Sequence, residues 1–451
     1  MSAADAIQAW HTILDDDAIA QETSSLITSQ LAVRGLIFGD RPLCTVLRPR
    51  LVTRPQFDRV TSLTRRLMPA FDAILDAALA DTSVRAQFRL ADWEENLIGA
   101  IPPFRAGSPT SRLDYFANDE TGEISLAEYN AEVPAGAGYN DSLADMFSDL
   151  PVTRRFARDW ELLPVPTRHG VIRTVLDAWA LWRGVRETPK IGIIDWREVP
   201  TASEFEIFQM HFRHLGIPCS IVDPRDAEYD GRTLSFAGTP VTLLYKRVLL
   251  HELAERGGID HPVFQAVRDG NVCMVNSPRC KILHKKASLA VLTDERNGHL
   301  LSPEQHAAVA ECVPWTRVVE ERMTRFHGEH VDLLPFVAQH RERLVLKPND
   351  DYGGAGIVLG WTVDDETWTA ALRTALDNPY VVQERVGIPW QGFPSLVDGR
   401  SEVIDRMYDT APFLCDGAYA EGWLCRLSTA ALLNVSAGGG STVPTFLVQP
   451  R

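Results

Sequence analysis

Four polar residues on two neighbouring segments have the types and spacing to bind a metal ion and a phosphate group. Arg112 and Asp114 lie two residues apart, as do Glu128 and Asn130, and the turn at 118–122 between them predicts a β-hairpin. Residues two apart on a strand face the same side. Two carboxylates and an amide oxygen are hard ligands that suit Mg²⁺, and the arginine could stabilise charge on a transferring phosphoryl group. Solvated charges on an exposed edge hairpin would give the same pattern.

A glycine-rich loop later in the chain could cover a triphosphate. Gly353, Gly354 and Gly356 lie between a strand-like run that ends at Lys347 and a returning strand at 357–359. Because the loop joins two strands, and because the chain has no Gly-Lys dipeptide, neither a Walker A motif nor a dinucleotide fingerprint fits. Backbone N–H groups of such a loop can fold over phosphates while a lysine neutralises their oxygens. A glycine hairpin that serves as a simple turn is the alternative.

A third segment is typical of a strand beside a nucleotide base. Residues 380–386 are apolar and β-branched before Gln383 and Glu384. An extended backbone there could offer donors and acceptors to an adenine edge from between two sheets. An ordinary buried strand would show the same pattern, so this segment alone does not distinguish a nucleotide site from a structural strand.

The regions that must position these residues alternate between helical and strand patterns. Apolar residues at spacings of three and four predict a helix over 55–80, and residues 5–37 are also mostly helical in pattern. We therefore expect residues 1–95 to form a helical layer. Another helix is expected over 165–187, and strands and helices alternate again over 271–451.

The segment 186–270 predicts a parallel βαβ unit. Its elements are, in order, a strand at 190–195, a helix opened by a capping box of Ser203 and Glu206, and strands at 217–222 and 241–245. Tight joins between strand, helix and strand favour a parallel, right-handed arrangement. Ligand sites in such units lie at the carboxyl ends of strands. Asp195 is therefore a candidate for the rim of a site.

The composition limits the class of partner. Of 451 residues, 45% are hydrophobic and 23% are charged, which is enough for two or three domains with sizeable cores. Lys and Arg number 45 and Asp and Glu number 60, and the resulting net charge of −15 argues against nucleic acid or a membrane as the main partner. There is no apolar run of about 18 residues and no signal-peptide pattern at the start. The seven cysteines are scattered, which is typical of free thiols. We expect a soluble, cytoplasmic protein.

Together these segments resemble the nucleotide site of ATP-grasp proteins. The residues that carry the resemblance are Leu-Val-Leu-Lys-Pro at 344–348, Gly-Gly-Ala-Gly at 353–356, Lys-Lys-Ala-Ser-Leu-Ala at 285–290 and Tyr-Val-Val-Gln-Glu-Arg at 380–385. Ser-Arg-Leu-Asp-Tyr-Phe at 111–116 and Leu-Ala-Glu-Tyr-Asn-Ala-Glu-Val-Pro at 126–134 resemble the magnesium hairpin of glutathionylspermidine synthetases. In those circularly permuted ATP-grasp proteins the metal ligands precede the phosphate lysines, and the resemblance covers roughly residues 96–451.

The resemblance implies a fold and a division of the chain. The implied fold class is α/β (α+β): a circularly permuted ATP-grasp fold with a Rossmann-like pre-ATP-grasp βαβ domain and a helical N-terminal layer. The implied regions are 1–95, helical; 96–185, the magnesium hairpin and a connecting helix of the ATP-grasp core; 186–270, the pre-ATP-grasp domain; and 271–451, the nucleotide-binding region.

The resemblance also implies roles for individual residues. Lys286 matches a lysine that contacts the α- and β-phosphates of ATP, with Lys285 as the alternative because the doubled lysine blurs the alignment. Lys347 matches the second phosphate contact. The other implied roles are a lid formed by Gly353, Gly354 and Gly356, an adenine contact at Gln383 and Glu384, a γ-phosphate contact at Arg112, and Mg²⁺ ligands at Asp114, Glu128 and Asn130.

The function implied is an ATP- and Mg²⁺-dependent carboxylate–amine ligase, which forms an amide through an acyl phosphate and releases ADP and phosphate. A kinase acting on a small molecule and a non-catalytic nucleotide-binding protein are the alternatives. Small-molecule carboxylate and amine partners are expected, but the sequence indicates neither their identity nor an oligomeric state. Asp195, Arg247, Arg426 and Asn434 either line an acceptor pocket or form structural ion pairs. No Cys/His arrangement at the start of the chain predicts the amidase activity of the glutathionylspermidine synthetases.

Overall fold

Helices and strands alternate along the chain in the computed structural model, which describes residues 2–99, 106–351, 353–429 and 440–451. The helices are α1 (Ala3–Leu14), α2 (Asp17–Val33), α3 (Arg54–Ala80), α4 (Thr82–Arg85), α5 (Asp92–Ile98), α6 (Ala137–Ser148), α7 (Pro151–Phe156), α8 (Arg168–Arg183), α9 (Ala202–His214), α10 (Leu250–Gly257), α11 (Pro262–Arg268), α12 (Cys280–His284), α13 (Ala287–Thr293), α14 (Pro303–Cys312), α15 (Leu333–Gln339) and α16 (Asp365–Asp377).

Most strands before residue 390 have five residues or fewer, with β4 and β5 as the exceptions, and the longest strands lie near the end of the chain. They are β1 (Ile37–Phe38), β2 (Arg41–Pro42), β3 (Arg50–Val52), β4 (Thr110–Ala117), β5 (Ile124–Asn130), β6 (Trp160–Pro164), β7 (Ile191–Ile194), β8 (Cys219–Val222), β9 (Ala227–Tyr229), β10 (Leu234–Phe236), β11 (Thr239–Val241), β12 (Leu243–Lys246), β13 (Cys273–Val275), β14 (Thr316–Val318), β15 (Met323–Phe326), β16 (Glu329–Asp332), β17 (Leu344–Pro348), β18 (Val358–Leu359), β19 (Tyr380–Glu384), β20 (Trp390–Val397), β21 (Arg400–Tyr408), β22 (Ala411–Cys415), β23 (Tyr419–Ser428) and β24 (Ser441–Pro450).

The largest sheet combines strands from distant parts of the chain. Its order is β20-β21-β23-β22-β4-β5, and β24 joins it through β23 while also pairing with β3 and β6. The predicted hairpin is confirmed as the antiparallel pair β4–β5, in which Arg112 lies opposite Asn130 and Asp114 lies opposite Glu128. The side chains between them, such as Leu113, are buried against α3, as the alternation of a strand requires.

Helix α3 supports this hairpin from behind. The helix predicted over 55–80 is confirmed as Arg54–Ala80, and its apolar stripe forms one core with β4 and β5. The ring of Phe71 lies 4.6 Å from the ring of Tyr129 on β5. The first 95 residues contain α1 to α5, but they also contain β3, which pairs in parallel with β24. The sequence did not predict β3 because three residues are too few to show a strand period.

The parallel βαβ unit predicted from the sequence is confirmed. The strands β13-β12-β7-β8 form one sheet in which every neighbouring pair is parallel, and α9 connects β7 to β8. The predicted capping box is wrong in detail. Helix α9 begins at Ala202 with Thr201 as its N-cap, and the Ser203 hydroxyl instead lies 2.7 Å from the hydroxyl of Tyr139. The Ser203 hydroxyl therefore makes a tertiary contact instead of capping the helix.

The glycine-rich loop belongs to a smaller antiparallel sheet with the order β14-β19-β17-β18. Strand β17 pairs with β18 on the far side of the loop, so the predicted strand-loop-strand arrangement is confirmed. Leu344 and Leu346 point into a core beneath the sheet together with Trp368 of α16. Lys347 alternates with them and therefore faces the opposite side. None of the helices in the described part of the chain is both long and apolar enough to cross a membrane.

The contact between α3 and the hairpin can be tested by truncating one ring. Phe71 is fully buried, and Phe71→Ala should lower the free energy of unfolding by about 3–5 kcal/mol because it leaves a cavity. Urea denaturation measures this change. The control is Leu181→Ala, at a side chain that is 62% exposed and should change the free energy by less than about 0.5 kcal/mol. Equal effects of the two variants would contradict the packing described.

Candidate functional site

One cleft contains most of the residues that the sequence singled out. It lies between the β4–β5 hairpin, the smaller antiparallel sheet and the carboxyl edge of the parallel sheet, and its volume is about 440 Å³. The predicted site residues that line it are Arg112, Asp114, Glu128, Asn130, Lys286, Lys347, Gly353, Gly354, Gln383 and Glu384. Of the predicted residues, Lys285 and Gly356 lie outside the lining formed by the described part of the chain.

The two adjacent lysines of the doubled motif point in different directions. Lys286 is the N-cap of α13, and its Nζ lies 3.0 Å from Oε1 of Glu128 across the cleft. The same Nζ donates to the backbone carbonyl of Asp351 at 2.6 Å. Lys285 instead forms buried ion pairs with Asp350 at 2.7 Å and Glu94 at 2.8 Å. Lys286 is therefore the lysine of this pair that faces the cleft.

Lys347 projects from β17 toward the hairpin. Its Nζ donates to Oε1 of Gln383 at 2.6 Å and to the carbonyl of Ala127 at 3.2 Å. Ala127 is bulged out of the β4–β5 ladder, where the pairing shifts by one residue, which leaves its carbonyl available. Burial lowers the pKa of Lys347 to about 8; the carboxylate of Glu128 opposes this shift and the nearby ammonium of Lys286 adds to it.

Two guanidinium groups hold Asp114. Arg112 donates to both of its carboxylate oxygens, at 2.7 and 3.1 Å, and Arg426 donates to Oδ2 at 2.6 Å. Burial alone would raise the pKa of Asp114, but these two cations outweigh it and bring the pKa to about 2. Arg426 is itself fixed by Asp409, whose Oδ2 accepts from Nε at 2.6 Å.

The hairpin residues fit a divalent cation by the chemistry of their donor atoms. Asp114 and Glu128 are opposite each other in the ladder, and Nδ2 of Asn130 lies 2.8 Å from Oδ2 of Asp114, so three oxygen-bearing side chains share one face. Such oxygens are the ligands that Mg²⁺ takes, with phosphate and water completing its shell. Protein cations satisfy these carboxylates in the structure: Arg112 and Arg426 at Asp114, and Lys286 at Glu128. A metal ion binding here would replace part of that positive charge.

The glycine loop owes its shape to backbone conformations that favour glycine. Gly353, Gly354 and Gly356 have φ values of +66°, +79° and +67°, in the region that other residues rarely adopt. Gly353 and Gly354 line the cleft. Gly356 has a different reason to be glycine, because a Cβ there would lie 2.6 Å from Cγ of Pro348. It allows the returning strand to pass close to β17.

The side chains of Gln383 and Glu384 line the cleft, but other protein groups already bind them. Gln383 accepts from Lys347 and donates to the hydroxyl of Thr316 at 3.0 Å, whereas Glu384 accepts from His327 at 2.9 Å. The backbone N–H groups of residues 384 and 385 donate to the carbonyls of residues 315 and 343. Backbone contacts to a base at this end would therefore fall to 386–388, of which Val386 and Ile388 line the cleft.

The other end of the cleft contains the rim residue that the βαβ pattern predicted. Asp195 follows β7, is buried, and lines the cleft, and its Oδ1 accepts from the backbone of Trp196 at 2.8 Å. Burial raises the pKa of Asp195 to about 6. Arg247 also lines this end and pairs with the buried Glu204 at 3.0 Å. Asn434, the other candidate named for this pocket, lies outside the described residues.

Sequence reasoning missed Asp409 and gave Arg426 no defined role. Both line the cleft, and both act on Asp114: Arg426 directly, and Asp409 by fixing Arg426. Asp409 follows the buried end of β21 and precedes the buried strand β22. An acid at such a position is expected to have a partner, but the sequence does not indicate which residue it is.

A solved structure matches the chain over nearly its whole length. It is a glutathione synthetase-like effector, GSS30, from Globodera pallida in its apo form, with 15% identity and a TM-score of 0.58 over 98% of this chain and 96% of that chain. At this identity the similarity shows a shared fold. The mixed helix-and-sheet fold of this chain is therefore also that of a glutathione synthetase-like effector.

Two other solved structures overlap with part of the chain. D-alanyl-alanine synthetase A from Vibrio cholerae is 9% identical, with a TM-score of 0.26 over 49% of this chain and 67% of that chain. Carboxyaminoimidazole ribonucleotide synthase from Aspergillus clavatus, complexed with ATP, is 13% identical, with a TM-score of 0.24 over 55% of this chain and 59% of that chain. Scores this low carry no argument for this chain. No family model and no curated protein matches it.

The raised pKa of Asp195 predicts a pH-dependent stability difference. Between its usual pKa of 3.8 and its folded pKa of about 6, the folded protein binds more protons at this group than the unfolded chain does. The stability of the wild type relative to Asp195→Asn should therefore fall as pH rises through that window, by up to about 3 kcal/mol. Urea denaturation at several pH values measures the difference. The exposed Asp40→Asn is the control, and a difference at Asp195 that does not vary with pH would contradict the burial of its carboxylate.

Proposed function

We propose that the chain is a circularly permuted ATP-grasp protein that uses ATP and Mg²⁺ to join a carboxylate to an amine. The observation that carries the proposal is the ion pair between Lys286 and Glu128, 3.0 Å long, in the cleft that Lys347 and the glycine loop also line. It joins the hairpin with the proposed metal ligands to the elements with the proposed phosphate lysines. The fold shared with a glutathione synthetase-like effector is consistent with this proposal.

The lysines would neutralise the phosphate oxygens. In the free protein, Lys286 faces Glu128, while Lys347 is held by the neutral oxygens of Gln383 and Ala127. This leaves positive charge in the cleft that a triphosphate would compensate. The backbone of Gly353 and Gly354 would lie over the phosphates, as in other loops that present N–H groups to anions. The one positive charge that Glu128 leaves uncompensated around these two lysines supports the proposed function, together with the motifs.

Magnesium would be held by Asp114, Glu128 and Asn130, where it would neutralise phosphate charge during transfer. Replacement of a guanidinium at Asp114 by the metal would leave Arg112 or Arg426 free to bind other oxygens. Arg112 lies beside the metal ligands in the β4–β5 ladder, which suits the γ-phosphate during transfer. Arg426 approaches Asp114 from β23 on the other side of β22, so it suits the carboxylate of the acid substrate.

The proposed chemistry has two steps. First, a carboxylate oxygen attacks the γ-phosphorus, the bond from that phosphorus to the bridging oxygen breaks, and ADP leaves. Second, the amine nitrogen attacks the acyl carbon, the bond to the phosphate oxygen breaks, and inorganic phosphate leaves while the nitrogen loses a proton. The protein contributes mainly positioning and charge compensation, and the glycine loop would keep water away from the acyl phosphate.

Asp195 is the group proposed to take the proton of the amine. Its pKa of about 6 makes it ionised at neutral pH yet close enough to neutrality to accept a proton. Glu252, which lines the same end of the cleft, adds a second acid. Two acids at this end suit an amine that arrives as a cation, and the guanidinium of Arg247, which pairs with Glu204 at 3.0 Å, also favours the charged form of Asp195.

The experiment that tests this function is product analysis with Lys347→Met as the inactive control. The protein is incubated with MgATP and mixtures of carboxylic acids and primary amines, and ADP, phosphate and amide are quantified. We expect equal amounts of all three, and a rate at least about 100-fold lower in Lys347→Met because a phosphate-compensating cation is lost. Lys190→Met, at an exposed lysine, should leave the rate unchanged. Phosphate retained on an organic product would indicate a kinase. ADP release by Lys347→Met at the wild-type rate would contradict the proposed role of Lys347 at the phosphates.

The metal role of Glu128 gives a separate prediction. Glu128→Gln keeps the shape of the side chain but removes its charge, so the Mg²⁺ concentration for half-maximal rate should rise about tenfold. A magnesium titration at saturating ATP measures this. Glu123→Gln, at an exposed acid in the turn of the same hairpin, should leave the requirement unchanged. If Glu128→Gln also leaves it unchanged, Glu128 is not a metal ligand.

A further inference from the structure

A cluster of six charges, five of them buried, lies beneath the cleft and is absent from the proposed chemistry. Its members are the acids Glu94, Glu132 and Asp350 and the lysines Lys246, Lys281 and Lys285. The three acids and three lysines balance in charge. Burial lowers the pKa of the neighbouring His284 to about 4, so that imidazole is neutral at pH 7. The cluster therefore contributes no net charge to the phosphate region, although it adjoins Lys286.

A metal ion is not needed to explain the cluster. Glu132, His284 and Asp350 do have the mutual spacing of metal ligands. The ammonium of Lys281, however, lies 3.1 Å from Oε2 of Glu132 and 2.6 Å from Oδ1 of Asp350. A lysine already supplies the cation that these carboxylates require, so the cluster is an internal ion-pair network.

Asp350 differs from the other members by its place in the chain. It lies two residues after β17, where the chain enters the glycine loop, and its side chain is 23% exposed, whereas those of the other five are at most 5% exposed. Its carboxylate accepts from Lys281 at 2.6 and 2.8 Å and from Lys285 at 2.7 Å. The network therefore reaches the loop through this one carboxylate.

The residues on either side of Asp350, Asn349 and Asp351, are bound to Lys286 and Ala287, where α12 is followed by α13. The carbonyl of Asn349 accepts from the backbone of Lys286 at 2.9 Å, and its side-chain oxygen accepts from the backbone of Ala287 at 2.8 Å. The carbonyl of Asp351 accepts from Nζ of Lys286 at 2.6 Å. Residues 349–351, the root of the glycine loop, are thus attached at three successive positions to the junction between α12 and α13.

We propose that Asp350 is a positioning residue that fixes the root of the glycine loop to the segment with Lys286, so that loop and lysine meet the triphosphate as one unit. The consequence for the triphosphate rests on the proposed function, whereas the attachment of the loop does not. Without this carboxylate, Lys281 would still be held by Glu132 at 3.1 Å and Lys285 by Glu94 at 2.8 Å. The loop root alone would lose its ionic attachment.

The test compares Asp350→Asn with the wild type by two measurements. Hydrogen exchange of the ligand-free protein should show amides of residues 349–351 and 353–357 exchanging at least about tenfold faster in the variant, because local opening becomes easier. Calorimetry should show a Kd for MgATP about tenfold higher, because part of the binding free energy must then order the loop. Asp350→Glu, which retains the charge, should restore both values to within about threefold of the wild type.

Matched variants separate positioning from a general effect of charge. Asp377→Asn removes the same charge at the end of α16, at an exposed side chain, and should change neither measurement. The double variant Asp350→Asn/Lys285→Gln keeps the buried cluster neutral, and it should loosen the loop as Asp350→Asn does if the single variant folds poorly. Unchanged exchange in both Asp350→Asn and Asp350→Asn/Lys285→Gln, or equal effects of Asp377→Asn, overturns the proposal. If the wild type does not bind MgATP, the proposed function fails, and hydrogen exchange alone decides the role of Asp350.

Discussion

One part of the cleft is organised around two ammonium groups, those of Lys286 and Lys347, which share the nearby carboxylate of Glu128. Lys286 has a carboxylate partner in Glu128, whereas Lys347 has neutral oxygen acceptors, and burial lowers its pKa to about 8. Withdrawing two ammonium groups from water beside a single carboxylate is costly, so this arrangement reduces the stability of the free protein. An anionic ligand would remove that cost. The arrangement of sheets around the cleft can be understood as the means of holding these two ammoniums close to each other and away from bulk water.

Three elements from separate parts of the chain bring these charged side chains together. The junction of α12 and α13 provides Lys286, β17 provides Lys347, and the β4–β5 hairpin provides Glu128. Each element has a rigid support: α3 packs behind the hairpin, and α16 packs beneath β17. The bulge at Ala127 completes the arrangement, because it turns a ladder carbonyl into an acceptor for Lys347. The site is therefore positioned by regular elements, and the glycine loop is the irregular part.

Charges around the cleft are divided into groups with different functions. The cluster beneath the cleft is balanced within itself, and the two carboxylates of Asp114 and Asp409 are balanced by Arg112 and Arg426. Buried ion pairs of this kind contribute little net stability compared with apolar packing. They do fix geometry, because each partner is costly to leave alone. This division explains why two adjacent lysines, Lys285 and Lys286, have different environments: one belongs to the balanced cluster and the other to the cleft.

The sequence by itself determined the local elements and the types of chemical group. Period-3.6 and period-2 patterns predicted α3, the hairpin and the βαβ unit, because these patterns reflect burial along a single element. Tertiary structure decided everything that depends on contact between distant residues. It gave Lys285 and Lys286 different ion-pair partners and placed Arg426 and Asp409 beside Asp114. It also paired β3 with the large sheet and brought the hydroxyl of Ser203 to that of Tyr139. An ion pair, or a strand of only three residues such as β3, leaves no periodic signal in the sequence, so only the folded chain reveals it.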